Sequence, residues 1–367
     1  RHLQENGIPL SQIVYVNFED ERLLEMSADD LNVILEIGLE MAGVDNRPYL
    51  FLDEIQNIKG WEKFVRRIAD MKYRINITGS NSKMLSSEIA STLGGRFMIV
   101  DIYPYSFPEY LLAQGKNKNY LDILSTKDRA EVLGMYDQYV KYGAFPELVG
   151  IRNKREFLNS IYQTIYLGDI ITRNKITNDF AVRLILKKIA ESITKPLSFN
   201  RLGNILKSAG AAIGKQTVIN YVGYMMESYM LFTLQNYAAK LIQKETSPKY
   251  YFMDTGLLGL MLMDCSSAQL ENLVAIELIR RFGREKVFYF ENNVEIDFYI
   301  PEEKLAIQVS MQVLDQIETR EREIGAFLKL RNFIEGARCI LITNSEEAEL
   351  DCDGIHVSVV PAWKWLL

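Results

Sequence analysis

Pro48-Tyr49-Leu50-Phe51-Leu52-Asp53-Glu54-Ile55-Gln56 is the stretch that decides how this chain is read. Four apolar residues, Tyr49 to Leu52, run without alternation into two adjacent carboxylates, Asp53 and Glu54. A short unbroken apolar run suits a strand buried on both faces, as in a parallel sheet beneath helices. Ligands of such sheets sit outside the carboxyl ends of the strands. Nucleotide hydrolases use two acids at that place: the first holds Mg2+, directly or through water, and the second orients or deprotonates the attacking water. The plainer alternative is a buried strand that ends in a solvated acidic turn.

Working outward, Tyr73 to Thr78 reads as a second strand and ends in Gly79-Ser80-Asn81-Ser82. A polar residue at that tip is placed to contact a γ-phosphate or the attacking water. Leu93-Gly94-Gly95-Arg96 leads into a third apolar strand, Phe97 to Ile102, and an arginine there reaches a phosphate of its own or a neighbouring subunit. Together these segments resemble the AAA+ ATPase domain of a large prokaryotic family of predicted ATPases. The resemblance places the family's acidic pair on Asp53 and Glu54, its polar sensor on Ser80 and its arginine on Arg96. Pro104-Tyr105-Ser106-Phe107-Pro108-Glu109-Tyr110 matches the same family, as does Gly143-Ala144-Phe145-Pro146-Glu147. The resemblance runs over essentially the whole chain, and its most specific part is the first 110 residues.

A P-loop ATPase also needs Gly-x-x-x-x-Gly-Lys-Ser/Thr to cradle the phosphates. The 367 residues contain no such stretch. Ala209 to Gln216 comes nearest, but it has Gln216 where a magnesium-holding hydroxyl belongs and its glycines are spaced one residue too closely. It reads as a loop. Arg1 to Gly7 resembles the end of the helix that follows the phosphate loop in the family, with Gly7 as its stop. The expectation is therefore that the chain begins inside the ATPase domain, with either an upstream segment or a defective domain. In this ATPase class the P-loop strand lies between the strands of Ser80 and Phe97, and its absence leaves their backbone groups unpaired.

Composition limits the other possibilities. A hydrophobic content of 48% with 25% charged residues is ordinary for a soluble chain of two or three domains. Net charge is −6, so the chain as a whole is not a basic nucleic-acid binder. The cysteines Cys265, Cys339 and Cys352 are scattered and form no Cys-x-x-Cys pair, which argues for a reducing cytoplasm and against zinc. With only His2 and His356, histidine metal sites and Ser-His-Asp triads are disfavoured. No run of about 18 apolar residues suggests a membrane span.

Past Phe107 the pattern turns helical, over Glu109–Gln114, Lys127–Tyr142 and Lys154–Asn174. Asp169 and Arg173, four apart, read as an i,i+4 ion pair in preference to a nucleotide sensor. Residues 181–262 read as a winged helix: helices over Ala181–Ile193, from a Ser198 cap, and over Lys215–Leu231, then two strands within Phe232–Phe252 around a polar turn at Lys244–Pro248. From Lys175 to Lys249 there are 11 Lys/Arg and 4 Asp/Glu, a net +7 against −13 for the remainder. That asymmetry favours DNA phosphates as a partner of this unit. Lys215, Gln216, Thr217 and Asn220, at the start of the third helix, are the candidate groove-reading residues. The alternative is a winged helix used for packing or protein contacts.

The last hundred residues carry another resemblance. A helix opening at Glu271, strands at Val287–Phe290 and from Glu295, and a strand Leu305–Ser310 are similar to the PD-(D/E)xK restriction-endonuclease fold. Such a site needs two acids, a further helix acid and a lysine. Glu271 and Asp297 match, whereas Gln308 stands for the second acid and Ser310 for the lysine, so the resemblance implies a degenerate nuclease site without activity.

The resulting expectation is a cytoplasmic, multi-domain α/β protein: an AAA+/ASCE P-loop NTPase parallel sheet lacking its P-loop strand (1–112), a helical linker (113–180), a winged helix (181–262) and a restriction-endonuclease-like domain (263–367). ATP and Mg2+ are the expected cofactors, with Asp53 on the metal, Glu54 on water, Ser80 on the γ-phosphate and Arg96 on transition-state charge. ATP hydrolysis is expected only with an upstream P-loop. DNA is a possible partner, a membrane is not, and oligomers are open. The rival readings are a non-enzymatic DNA-binding or interaction adaptor with a lost ATPase site, and an active metal-dependent nuclease.

Overall fold

A computed structural model describes residues 1–43, 45–80, 93–94, 97–116, 125–211, 213–262 and 266–367, and the side chains of all of these but 242, 243 and 245. The chain forms two compact units. The first comprises Arg1–Asp101 with Glu227–Tyr229, and the second Ile102–Met226 with Met230–Leu367.

The first unit is a parallel sheet of three strands, β1 (Ile13–Asn17), β2 (Tyr49–Asp53) and β3 (Arg74–Ile77), in that order. Val16 pairs with Leu52 and Asn17 with Asp53, while Leu52 pairs with Ile77. Helix α1 (Leu31–Ala42) connects β1 to β2, and α2 (Trp61–Asp70) connects β2 to β3. Their apolar positions recur at helical spacing, and Leu31, Ile34, Leu35, Trp61, Phe64, Val65 and Ile68 are all buried. They form one core with Leu50 and Leu52 of β2. Each such side chain, once fully buried, contributes about 1.5–3 kcal/mol.

Two expectations fail here. β2 is packed on one face only, because Leu50 and Leu52 are buried while Tyr49, Phe51 and Asp53 remain half-exposed. Tyr15, on the neighbouring strand, is 63% exposed. Nor is Phe97–Ile102 a strand. Phe97 touches the core, but Met98, Ile99, Val100 and Ile102 are exposed and hydrogen-bond to no neighbouring strand. Among the described residues β3 pairs with β2 alone, so an apolar segment beyond it has no ladder to join. The short helix His2–Glu5 ends at Gly7, whose φ of +81° suits glycine, as the sequence suggested.

The second unit starts with helices α3 (Phe107–Ala113), α4 (Thr126–Tyr142) and α5 (Lys154–Gln163). Ser106 and Glu109 cap α3 reciprocally, and Phe107 and Tyr110 pack on Tyr139 of α4. Thus Pro104–Tyr110, expected at the end of the first domain, is built into the second unit. α5 runs on as a π-helical stretch, Thr164–Thr172, where Asp169 and Arg173 form the anticipated ion pair at 2.8 Å.

Helices α6 (Asp179–Ala190), α7 (Phe199–Ser208) and α8 (Lys215–Glu227) follow, with Ser198 capping α7 through the Arg201 amide. α8 stops four residues short of Leu231, which instead opens β4 (Leu231–Asn236). β4 pairs antiparallel with β5 (Lys249–Phe252), but between them lies α9 (Leu241–Thr246) where a turn was expected. Helices α10 (Thr255–Met261) and α11 (Ser266–Phe282) come next.

The remaining elements are β6 (Phe288–Glu291), β7 (Glu295–Ile300), β8 (Leu305–Ser310), α12 (Ile317–Leu330), β9 (Arg338–Thr343), β10 (Ala348–Cys352), β11 (Ile355–Pro361) and α13 (Ala362–Trp365). β4 to β11 form one mixed sheet in the order β10-β11-β9-β8-β7-β6-β4-β5. The β4–β5 hairpin therefore extends the C-terminal sheet through β6, and the sheet crosses the boundary expected at 262/263. α11 is buried without a break from Gln269 to Ile279, as befits a central helix. Its Asn272 side chain accepts from Phe252 N–H at 2.7 Å and donates to Phe252 C=O at 2.9 Å, which satisfies both backbone groups of Phe252 on the edge strand β5.

Candidate functional site

At the carboxyl ends of β2 and β3 the structure gathers a polar cluster. β2 delivers Asp53, and the next residue, Glu54, adopts a left-handed conformation with φ 53°. Such a conformation costs a non-glycine residue about 1–2 kcal/mol and persists where surrounding contacts impose it. Here Glu54 N–H donates to Thr78 Oγ1 at 3.3 Å, and the Thr78 hydroxyl donates to Asp53 Oδ1. Ser80 Oγ donates to Glu54 Oε2 at 3.2 Å, and the Gln56 amide donates to the same oxygen. The other Asp53 oxygen accepts from Tyr15 O–H at 2.6 Å, and this bond holds the phenol above its ordinary pKa.

Asp53, Glu54 and Ser80, singled out from sequence, are thus brought together. Arg96 lies outside the described residues. Sequence reasoning missed Thr78, Gln56 and Tyr15. Thr78 carried the same strand-end signal as Ser80, whereas Tyr15 joins through strand pairing alone. The side-chain groups able to hold a cation are oxygens, those of the half-exposed Asp53 and Glu54 carboxylates foremost. That chemistry suits Mg2+, which takes one or two protein carboxylates and completes its shell with water and phosphate.

A second cluster lies in the C-terminal sheet. Glu271 on α11 and Glu295 and Asp297 on β7 surround Lys249 of β5, whose side chain is 0% exposed. Its Nζ lies 2.9 Å from Glu295, 3.6 Å from Asp297 and 3.7 Å from Glu271. Burial works against the ammonium, but the three carboxylates outweigh it and hold its pKa above the ordinary lysine value. Burial, and next the Asp297 charge, raises Glu271, which accepts from Tyr251 O–H at 2.9 Å. Burial likewise raises Asp297.

Gln308 and Ser310 are near but occupied. Gln308 Oε1 accepts from Asp297 N–H at 2.8 Å and its amide donates to Glu295 C=O at 3.1 Å, while Val309 N–H donates to Asp297 Oδ2. Side chains there replace a missing rung between β7 and β8. Ser310 Oγ donates to the Gln312 carbonyl. Sequence reasoning missed Lys249 and Glu295. A lysine opening the buried run Tyr250-Tyr251-Phe252 was the available signal, since a buried charge requires a partner. Among the described residues no three His, Cys, Asp or Glu side chains converge to hold a metal ion.

At the start of α8, Lys215, Gln216 and Asn220 are exposed and Thr217 is half-buried, with Gln216 donating to Asn220 at 3.0 Å. Val218, Tyr221, Val222 and Met225 face the core. No helix among the described residues is long and apolar enough to cross a membrane.

Comparison with known proteins bears on the first unit as a whole. A family model described as an AAA domain matches residues 1–111, and one for a domain of unknown function matches residues 133–267. An uncharacterized protein of Methanocaldococcus jannaschii is 34% identical over 367 residues, covering 96% of this chain and 82% of that protein. An uncharacterized protein of Haemophilus influenzae is 29% identical over 373 residues, covering 99% of this chain and 88% of its own length.

Proposed function

We propose that this chain, which belongs to the family of the Methanocaldococcus jannaschii protein and carries an AAA domain in its first 111 residues, uses that domain to bind Mg2+–ATP at the ends of β2 and β3. The observation that carries this reading is the linked set Asp53, Glu54, Thr78 and Ser80 on adjacent parallel strands. Mg2+, when bound, would supply positive charge against the phosphates. Asp53 is the residue to hold it, with the Thr78 hydroxyl fixing the carboxylate. Glu54, oriented by Ser80 and Gln56, is placed to align a water and accept its proton as the water oxygen bonds phosphorus and the bond to the leaving diphosphate breaks. Ser80 is the residue proposed to sense the terminal phosphate.

The 367 residues contain no Gly-x-x-x-x-Gly-Lys-Ser/Thr, so turnover is proposed for a chain that carries such a loop upstream. The test compares ATP binding and phosphate release by this chain and by an extended chain, each with a Glu54→Gln variant. Binding and turnover by the extended chain, with binding alone in its variant, supports the reading. An extended chain that binds no nucleotide refutes it.

The second unit is proposed to contact DNA through Lys215, Gln216, Thr217 and Asn220, supported by their position at one helix start and by the +7 charge of residues 175–249. The C-terminal sheet is proposed to keep a nuclease-like arrangement without cleavage, because Gln308 and Ser310 are used by the backbone. Mg2+-dependent cleavage of DNA that Asp297→Ala abolishes would overturn that part.

A further inference from the structure

The Glu271–Glu295–Asp297 cluster has a feature that neither the nuclease-like reading nor the AAA domain explains. Its centre is filled by a side chain of the same molecule. Lys249 comes from β5, which β6 and β4 separate from β7 in the sheet order, and its stem is wholly buried. The Tyr289 ring lies 5.4 Å from the ammonium and closes it off on another side. Lys249 Nζ is buried among the three acids, nearest to Glu295 at 2.9 Å, and its charge is what they share. A cavity of about 430 Å³ opens beside the acids, lined also by Thr194, Arg322 and Glu323.

Three carboxylates around one point call for a cation among them, although with Lys249 in place they do not converge as metal ligands. An ion bound there would contact the same oxygens that Lys249 now contacts, at about 2.0–2.6 Å. Nζ at 2.9–3.7 Å leaves no room for both. A buried cluster of three acids without a counter-charge would be strongly destabilised, and the ammonium removes that cost.

We propose that Lys249 is the resident cation of this centre, occupying the position of a divalent metal, so that the cluster is charge-compensated and folded without metal and is masked as a metal site. The ammonium also ties the β4–β5 hairpin to the acids of α11 and β7. The inference rests on the geometry of the four side chains and stands whether or not the unit is related to nucleases.

The experiment uses the full chain with Asp53→Asn, which silences the proposed metal position of the first unit, and reads Mn2+ binding by electron paramagnetic resonance and thermal unfolding with Mn2+ or EDTA. With Lys249 present, the expected result is no bound Mn2+ attributable to this centre and the same melting temperature in both conditions. Lys249→Met keeps the stem and removes the charge. It is expected to melt lower, to bind one Mn2+ equivalent, and to regain melting temperature on Mn2+ addition. A further Asp297→Asn is expected to abolish that binding. Mn2+ bound with Lys249 present and lost on Asp297→Asn would overturn the proposal, because metal and lysine would then share the centre. A folded Lys249→Met protein that binds no Mn2+ would overturn it too. Should Lys249→Met fail to fold even with Mn2+, metal has not replaced the ammonium and the proposal fails, while the lysine-containing arm still reports on its own.

Discussion

Asp254 offers a sharp physical test of the second unit. Its carboxylate is buried at the start of α10 and accepts from the amides of Ala144 at 2.7 Å, Gly256 at 2.8 Å and Leu257 at 3.3 Å. Burial pushes its pKa up from 3.8 to about 6, although the three N–H donors favour the anion. That difference corresponds to about 3 kcal/mol. Below about pH 4 the group is protonated in the folded and unfolded chains alike. Between about pH 4 and 6 the unfolded chain releases its proton first, so stability falls as pH rises, and the loss is complete above about pH 6. Amide hydrogen exchange at Ala144, Gly256 and Leu257, corrected for intrinsic rates, is the local assay. Protection is expected to drop on the order of 100-fold from pH 4 to pH 7 where exchange follows openings that expose Asp254. Asp254→Asn, which cannot ionise, is expected to remove that pH dependence. Protection that stays level or rises with pH in the unaltered chain would refute the reasoning, since the amides would then outweigh burial. So would an unchanged decline in the asparagine variant.

Other expectations follow from single contacts. Gly143→Ala should lose at least about 2 kcal/mol in urea denaturation, because Gly143 has φ +78° and an added Cβ would overlap the Asp254 carboxylate. Leu52→Ala, in the core directly before Asp53, should cost about 3–5 kcal/mol; Trp61 fluorescence in the same core reports it, and an unaltered midpoint would contradict the packing described. If α8 contacts DNA, Lys215→Ala should lower the slope of log affinity against log salt by about 1, uniformly across DNA sequences.

The first candidate site was legible because it is local. Asp53 ends its strand, Glu54 follows it directly, and Ser80 stands three residues past β3, so a correct strand assignment was enough to place them. Caps were legible for the same reason: Ser198 sits next to the helix it caps. Reading failed where an outcome depended on a neighbour. The unbroken apolar run of β2 suggested two covered faces, but coverage depends on where α1 and α2 pack, and they cover the face of Leu50 and Leu52. Phe97–Ile102 has strand-like composition yet no strand bonds, because a strand exists only when another backbone pairs with it.

The sequence by itself determined the periodic helices, the strands β1, β2 and β3 and the acids at the end of β2. These follow from side-chain type and spacing over a few residues. Only the tertiary structure decided that the β4–β5 hairpin joins the C-terminal sheet and that Lys249 enters a cluster with Glu271, Glu295 and Asp297. The physical reason is that strand order in a sheet, and the meeting of charges from distant segments, are set by long-range pairing and burial, which leave no short-range pattern in the chain.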